Sequence, residues 1–174
     1  MAGVQNKQVF ERAMTEVFGQ GNLAAVEEFF SPDFKEHEEG PGKDRGREGL
    51  KEIVRSVRGG FPDLQVHVEA ISEDGDQTWA RVTFSGTNTG ELMGHPATGR
   101  KATWTAIDQC RYREGKMIEH WGVVDLLSMM QQIGMVPPPQ ASWAAVSSAT
   151  PLRALRSRQD LECPVSLVHL VSVV

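Results

Sequence analysis

The segment KATWTAIDQCRYREGKMIEHWGVV, residues 101–124, has the pattern of two strands joined by a tight turn. Apolar and polar residues alternate with a period of two through residues 101–113, and a second extended run begins at Lys116. Glu114 and Gly115 stand between the runs, and a two-residue connection ending in glycine is typical of a β-hairpin. We therefore predict an antiparallel strand pair here.

The chain continues from this hairpin into DLLSMMQQIG, residues 125–134, which predicts a short helix. Asp125 stands at its start, where an aspartate carboxylate can accept hydrogen bonds from the first free backbone N–H groups. Gly134 and the prolines at 137–139 end the helix. Asp125 is therefore a helix cap by position, and the apolar residues around it would also raise its pKa toward the range of a general base.

The residues before the hairpin predict helices first and strands afterwards. Apolar residues recur at helical spacing in three segments, residues 9–18, 23–30 and 50–57. Residues 34–46, FKEHEEGPGKDRG, are polar and rich in glycine, which indicates a loop. The period then changes to two in residues 64–69 and 77–90, which indicates two strands joined by the turn EDGD.

Three helices followed by an antiparallel meander predict an α+β fold. In such a fold a curved antiparallel β-sheet wraps around the three N-terminal helices and leaves a pocket open at one end. We expect this domain to span residues 1–137. Residues 138–174 lack an amphipathic period and are rich in Ala, Ser, Val and Leu, so we expect a peripheral or poorly ordered tail.

Composition and charge exclude several classes of protein. The net charge of −5 argues against a nucleic-acid partner, because phosphate binding needs clustered lysine and arginine. No segment approaches the roughly 20 apolar residues that span a bilayer, and the charged first residues do not resemble a signal peptide. Cys110 and Cys163 have neither disulfide-scaffold nor metal-site spacing, so we expect a reducing, cytoplasmic compartment.

No motif in the sequence calls for a metal or an organic cofactor. The five histidines are scattered without metal-ligand spacing, and no glycine-rich phosphate loop or serine nucleophile motif occurs. Any catalysis would therefore rest on acids, bases and hydrogen-bond donors that act on a hydrophobic small molecule in an apolar pocket.

Three motifs give the chain a family resemblance. They are the loop TNTGELMGHPATGR, the hairpin Arg-x-x-x-Gly-Lys, and EHW followed by Asp-Leu-Leu and Gln-Gln-Ile-Gly. With them, residues 5–137 resemble the SnoaL-like polyketide cyclases, or ester cyclases, of the nuclear-transport-factor-2-like superfamily. The resemblance implies a cone-shaped α+β roll and a cofactor-independent intramolecular aldol condensation of an aromatic polyketide ester.

The resemblance also implies roles for individual residues. Asp125 falls on the acid/base aspartate of characterised cyclases. Gln109 falls on a substrate-contacting glutamine, and Arg111 occupies a position where a characterised cyclase has a histidine. We expect these two residues to bind substrate.

Several other polar and aromatic residues could have either a functional or a purely structural role. His120 could orient Asp125 or donate a hydrogen bond to an enolate oxygen, or it could be a buried structural histidine. His37 is expected at the pocket mouth as a substrate contact, although a surface-loop position explains it equally simply. Trp104 and Trp121 would form pocket walls for a flat substrate, or simply core. We expect Asp108 to form an ion pair across the sheet and not to take part in chemistry, with Arg81, Arg111 or Arg113 as its partner.

Strand register decides which of these residues share a face. A regular two-residue hairpin pairs Gln109 with His120 and places Asp125 on the opposite face, with Trp121. Glycine inside a strand often marks a bulge, so we hypothesise that a bulge at Gly122 turns Asp125 toward the Gln109 side.

The sequence is compatible with three functions. The first is a polyketide cyclase, and the second is an isomerase or epoxide hydrolase of the same fold. The third is a non-catalytic module that binds small molecules. A homodimer through the outer face of the sheet is expected in each case.

Overall fold

Three N-terminal helical segments pack on one face of a mixed five-stranded sheet, and a short helix follows the last strand. The computed structural model describes residues 6–38 and 45–138. The predicted tail lies almost entirely outside the described residues, so the proposed domain boundary stays a prediction.

The helices follow the predicted apolar segments, with irregular ends. The first helix, α1, continues as a π-helical turn over Met14–Gly19, and a 3₁₀ turn over Leu23–Ala25 leads into the second. The α-helices are α1, Asn6–Ala13; α2, Val26–Phe29; α3, Arg47–Gly60; and α4, Leu126–Ile133.

The strands form one sheet in the order β1-β5-β4-β3-β2. Strands β2 to β5 are the predicted antiparallel meander, which is therefore confirmed. The strands are β1, Phe30–Glu36; β2, Gln65–Asp74; β3, Gln77–Thr87; β4, Lys101–Arg113; and β5, Lys116–Val124.

Strand β1 differs from the prediction, because the sequence pattern of residues 30–36 predicts a helix end followed by a loop. Pro32 cannot continue a helix, and beyond it Phe34 and Glu36 alternate as buried residues with exposed neighbours. The strand lies at the sheet edge and pairs in parallel with β5. Parallel pairing uses no hairpin turn, so the sequence carries no local signal for it.

The turn at Glu114 and Gly115 is confirmed: both residues have positive φ, and Arg113 pairs with Lys116. The register then shifts, because Tyr112 pairs with Met117 while Arg111 pairs with Glu119. The residue left over is Ile118, which forms a bulge in β5.

This bulge determines which residues of the hairpin face the helices. His120 pairs with Cys110 and Gly122 pairs with Asp108, and regular pairing continues from there to Val124. The hypothesis of a bulge at Gly122 is therefore wrong. A bulge exists, but it lies four residues earlier and places His120 on the face of Asp108 instead of that of Gln109.

The hydrophobic core lies between the helices and the inner face of the sheet. Alternate residues of β4 are buried there, and they include Trp104, Ala106, Cys110 and Tyr112. Phe61 and Phe84 pack against the Trp104 ring with centroid distances of 5.0 and 5.7 Å. Helices on one face of a curved sheet confirm the predicted α+β class.

The loop that joins β3 to β4 is held by a buried asparagine. The Asn88 amide donates to the carbonyls of Gly60 and Gly90 and accepts hydrogen bonds from the backbone and side chain of Thr98. These hydrogen bonds fix the loop so that Leu92, which is 3% exposed, packs against Gly60 at the end of α3. The loop therefore closes one wall of the interior.

Candidate active site

An apolar cavity with a volume of about 160 Å³ lies between the helices and the inner face of the sheet. Its walls are mostly phenylalanine, leucine, valine and methionine side chains, together with Trp104. The ionisable residues that line it include Glu36, Glu38, Asp108 and His120. An apolar cavity with a few convergent polar groups is the common form of a small-molecule site.

The His120 ring is held between two buried carboxylates. Its Nδ1 lies 2.8 Å from both carboxylate oxygens of Glu36, and its Nε2 lies 3.2 Å from Asp108 Oδ1. The residues Glu36 and Asp108 are 8% and 6% exposed. Strand pairing produces this arrangement, because His120 lies opposite Glu36 in β1 and opposite Cys110 in β4, and Asp108 lies two residues before Cys110 on the same face of β4.

Charge and burial shift the pKa values of this group in opposite directions. Burial would lower the pKa of His120, but hydrogen bonds to Asp108 and Glu36 raise it to about 10. Burial would raise the pKa of Glu36, but the hydrogen bond and charge of His120 hold it below its usual range. His120 is therefore an imidazolium at neutral pH, with both N–H groups donating to carboxylates.

Glu38 is the carboxyl of the cavity without a fixed partner. Burial, together with the negative charges of Glu36 and Asp108, raises its pKa, while the charge of His120 opposes the shift. Among residues 6–38 and 45–138, none donates a hydrogen bond to its carboxylate or forms an ion pair with it. A carboxyl with a raised pKa in a cavity is suited to proton transfer near neutral pH.

Gly122 provides the space in which these groups approach one another. A Cβ atom built on Gly122 would lie 2.8 Å from His120 Cε1 and 3.0 Å from Glu38 Oε2. The first distance is shorter than real Cβ contacts, and the second is tighter than most of them. The glycine is therefore required here for close approach of two side chains and not for a bulge.

Glu36, Glu38 and His120 could also be considered as metal ligands. One donor atom from each lies within 4.8 Å of the others. Binding of a cation by this set would require His120 to give up a proton that two carboxylates hold, with a pKa of about 10. In the structure both ring nitrogens of His120 are engaged by carboxylates, Nδ1 by Glu36 and Nε2 by Asp108.

Asp125 does not line the cavity. It is exposed, and its Oδ1 accepts a hydrogen bond from the backbone N–H of Ser128 at 3.0 Å. The predicted N-cap of α4 is thereby confirmed. The expected turn of Asp125 toward the pocket does not occur, because β5 pairs regularly through Val124 and then leaves the sheet.

Four predicted substrate contacts lie on the outer face of the sheet, namely His37, Gln109, Arg111 and Trp121. The Gln109 amide donates to Gln77 Oε1 at 2.7 Å, and Gln109 pairs across the strands with Trp121. His37 stacks on Trp121 with a centroid distance of 4.4 Å. The alternation of β4 places Gln109 and Arg111 outside, and the bulge at Ile118 puts Trp121 opposite Gln109 on that same face.

The structure therefore brings two of the predicted site residues, Trp104 and His120, to the cavity. Sequence reasoning missed Glu36, Glu38 and Asp108. A signal existed for Asp108, because it alternates in phase with Trp104 and other buried positions of β4. Glu36 and Glu38 gave little signal, since the strand that positions them was not recognised.

The cavity lies between the helices and a curved sheet, and its ionisable groups are set in apolar walls. This combination of fold and cavity is typical of proteins that bind small hydrophobic molecules. The family model of the SnoaL-like polyketide cyclases matches residues 8–133, and this chain belongs to that family. No helix in the described ranges has the length and apolar character needed to cross a membrane.

Curated relatives and solved structures agree with this assignment. The chain is 29% identical to aklanonic acid methyl ester cyclase DnrD of Streptomyces peucetius, over 76% of this chain and 93% of that protein. It is 26% identical to the nogalonic acid methyl ester cyclase of Streptomyces nogalater, over 75% and 98%. The crystal structure of IdmH from Streptomyces antibioticus has a TM-score of 0.66 and 31% identity, over 75% of this chain and 99% of IdmH.

Proposed function

We propose that the protein is a cofactor-independent cyclase that catalyses the intramolecular aldol condensation of a polyketide ester. The observation that carries the proposal is the carboxyl of Glu38, which faces the His120 imidazolium in an apolar cavity and has a raised pKa. Two of its relatives are named as methyl ester cyclases, which supports the ester as substrate.

Glu38 would act as the general base and then as the general acid. Its carboxylate takes a proton from a carbon between two carbonyl groups, and the resulting enolate carbon attacks a carbonyl carbon of the same molecule. The new carbon–carbon bond leaves a negative charge on the attacked oxygen, and Glu38 returns the proton there. A raised pKa makes the Glu38 carboxylate a stronger base in the first step. The protonated carboxyl can then return the proton as the general acid in the second step.

His120 would stabilise the negative charge of the enolate. Its bond to Asp108 is the longer of the two, at 3.2 Å against 2.8 Å to Glu36. The Nε2–H group is therefore the one more readily redirected to a substrate oxygen, while Glu36 continues to hold the ring. The positive charge would be effective because the apolar walls keep the local dielectric low.

The aromatic wall of the cavity would bind the flat part of the substrate. The Phe84 and Trp104 rings are nearly parallel, with an interplanar angle of 12°. Such a wall buries a planar ring system and excludes water, which would otherwise solvate the enolate.

Replacing Glu38 and Asp125 separately tests this assignment. We expect Glu38→Gln to lower the rate of cyclisation of a polyketide methyl ester by about 10²- to 10⁴-fold, because proton transfer is lost. Asp125→Asn should retain most of the rate, because Asp125 caps α4 outside the cavity. Rates are measured by following the consumption of the linear ester.

The reverse result would restore Asp125 as the acid/base residue and contradict the role of Glu38. If the wild-type protein turns over no polyketide ester and a planar apolar ligand stabilises wild type and Glu38→Gln equally, the protein is a binding module.

We further propose a homodimer through the outer face of the sheet. Ile107 and Val123 pair across β4 and β5 and are 54% and 75% exposed, and Ile107 lines a shallow surface depression together with Trp79, which is 39% exposed. An exposed apolar patch of this kind is typical of a contact surface. Light scattering should show a dimer for wild type and a monomer for Val123→Lys, and a monomeric wild type would contradict the proposal.

A further inference from the structure

A cluster of four side chains binds the end of β1 to β5 on the outer face of the sheet. We call it the outer clamp, and it consists of His37, Arg111, Glu119 and Trp121. His37 Nε2 lies 3.1 Å from Glu119 Oε1, and Arg111 Nη1 lies 2.7 Å from Glu119 Oε2. The His37 ring stacks on Trp121 with an interplanar angle of 2°, and the Arg111 guanidinium lies 5.6 Å from the same ring.

Backbone pairing by itself holds this end of β1 weakly. Phe30 pairs with Met117, but the register shifts before the next pairs, which join Lys35 to Glu119 and Glu36 to His120. One further backbone bond, from His37 N–H to the carbonyl of His120, follows at 2.9 Å. A short ladder at a sheet edge frays easily, so side-chain contacts must contribute to its position.

The outer clamp and the cavity share the same short piece of backbone. Just past the end of β1, His37 contacts Glu119 and Trp121 on the outer face, while its neighbours Glu36 and Glu38 both line the cavity. In β5 the alternation of side chains places Glu119 outside and His120 inside. A shift of His37 relative to Glu119 therefore moves two cavity carboxyls relative to His120.

We infer that the outer clamp positions Glu36 and Glu38 against His120, and that His37 is a positioning residue for the cavity although it does not line it. The geometry of the clamp fits this role. Two independent contacts, the bond to Glu119 and the stack on Trp121, restrain the His37 ring. Arg111 in turn restrains Glu119. The effect on turnover rests on the proposed function, whereas the effect on His120 does not.

The His120 titration tests the inference without any substrate. The variant His37→Phe keeps an aromatic ring on Trp121 and removes the bond to Glu119. In the wild type the His120 ring, followed by NMR of histidine-labelled protein, should stay protonated to about pH 10. In the variant Glu36 is held less closely, and we expect the midpoint to fall by about one pH unit or more.

Two further variants complete this experiment. The control is His67→Phe, since His67 is a more exposed histidine of the same sheet whose ion-pair contact, to Glu69, is 3.8 Å long. It should leave the His120 midpoint unchanged. Glu119→Gln removes the charge from the clamp while keeping its shape, and should shift the midpoint in the same direction as His37→Phe by a smaller amount. If His37→Phe does not fold, the His120 midpoint of Glu119→Gln tests the positioning role by itself.

Turnover supplies a second readout if the proposed function holds. Because Glu38 becomes better hydrated when β1 loosens, the acidic limb of the kcat profile of His37→Phe should move to lower pH. Misplacement of the base should lower kcat by about 10- to 100-fold and leave KM within about twofold.

The outcomes separate the two ideas. An unchanged His120 midpoint in folded His37→Phe and Glu119→Gln overturns the positioning role. Absence of wild-type turnover, together with a shifted midpoint, leaves the positioning role standing and overturns the proposed function.

Discussion

Two histidine–glutamate pairs join the end of β1 to β5 on opposite faces of the sheet, and they are one residue apart in each segment of the chain. The inner pair is Glu36 with His120, whose side chains are 9% and 15% exposed. The outer pair is His37 with Glu119, whose side chains are both 24% exposed. The two pairs have the same residue types and similar distances between the ring nitrogen and the carboxylate oxygen, 2.8 Å in the inner pair and 3.1 Å in the outer pair.

The neighbours of each pair make the difference between them. Inside, a second carboxylate, from Asp108, binds the other nitrogen of the ring, so that two buried negative charges act on one imidazole. Outside, the carboxylate is shared with Arg111, and water reaches both partners. The two carboxylates therefore favour the protonated form of the inner histidine in the apolar cavity, while the outer pair contributes contacts between strands.

The largest expected difference concerns stability. Replacing His120 with glutamine leaves two buried carboxylates without their cation, and we expect a loss of about 3–5 kcal/mol in the free energy of unfolding. His37→Gln, on the outer face, should cost no more than about 1 kcal/mol. Urea unfolding at pH 7 measures both, and equal losses would show that the two faces are energetically alike.

The pH dependence of stability should follow the inner pair. The pKa of His120 is about 10 in the folded protein against about 6.5 unfolded, so its stabilising effect is complete below pH 6.5 and is lost as the pH rises toward 10. The pKa of Glu36 is lowered, so its contribution is present above its usual pKa and is lost as the pH falls.

The stability advantage of wild type over His120→Gln should therefore narrow both above pH 7 and in acid. Unfolding of both proteins across pH 4 to 10 measures it, with His37→Gln as the comparison. An advantage that is constant across this range would contradict the proton-holding role of the inner pair.

A smaller effect is expected from adding one methyl group on the inner face. Gly122→Ala places a Cβ against His120 and Glu38, and such overpacking should cost about 1–3 kcal/mol and reduce turnover. The matched control is Gly59→Ala in α3, where an added Cβ meets no atom within 4 Å, and this change should leave stability equal or raise it by about 1 kcal/mol or less. Thermal unfolding of the two variants makes the comparison, and a neutral Gly122→Ala would show that the inner groups are free to move apart.

Much of the fold could be predicted from local patterns. The alternation in β2 to β5, the turn at Glu114 and Gly115, and the cap at Asp125 all depend on residues close together in the chain. Such interactions leave a readable pattern because each is decided within a few residues.

The candidate site was harder to predict, because it depends on register and on a distant strand. One extra residue, Ile118, reverses the faces of the residues that follow it, and no turn or glycine marks its position. Parallel pairing then brings Glu36 to His120 across 84 residues of sequence. The resemblance identified the protein family correctly. Of the residues that it indicated, Gln109 and Arg111 lie on the outer face of the sheet and Asp125 caps α4 outside the cavity.

The sequence by itself determined the class of fold, the hairpin, the capped last helix and the family, because hydrophobic period, turn chemistry and motif spacing are local properties. Only the tertiary structure decided which face each side chain occupies and which charges share the cavity. The physical reason is that strands have a period of two, so a single bulge exchanges inside for outside. Burial then separates two similar histidine–glutamate pairs, since the inner one lines the cavity with Asp108 and the outer one lies at the surface with Arg111.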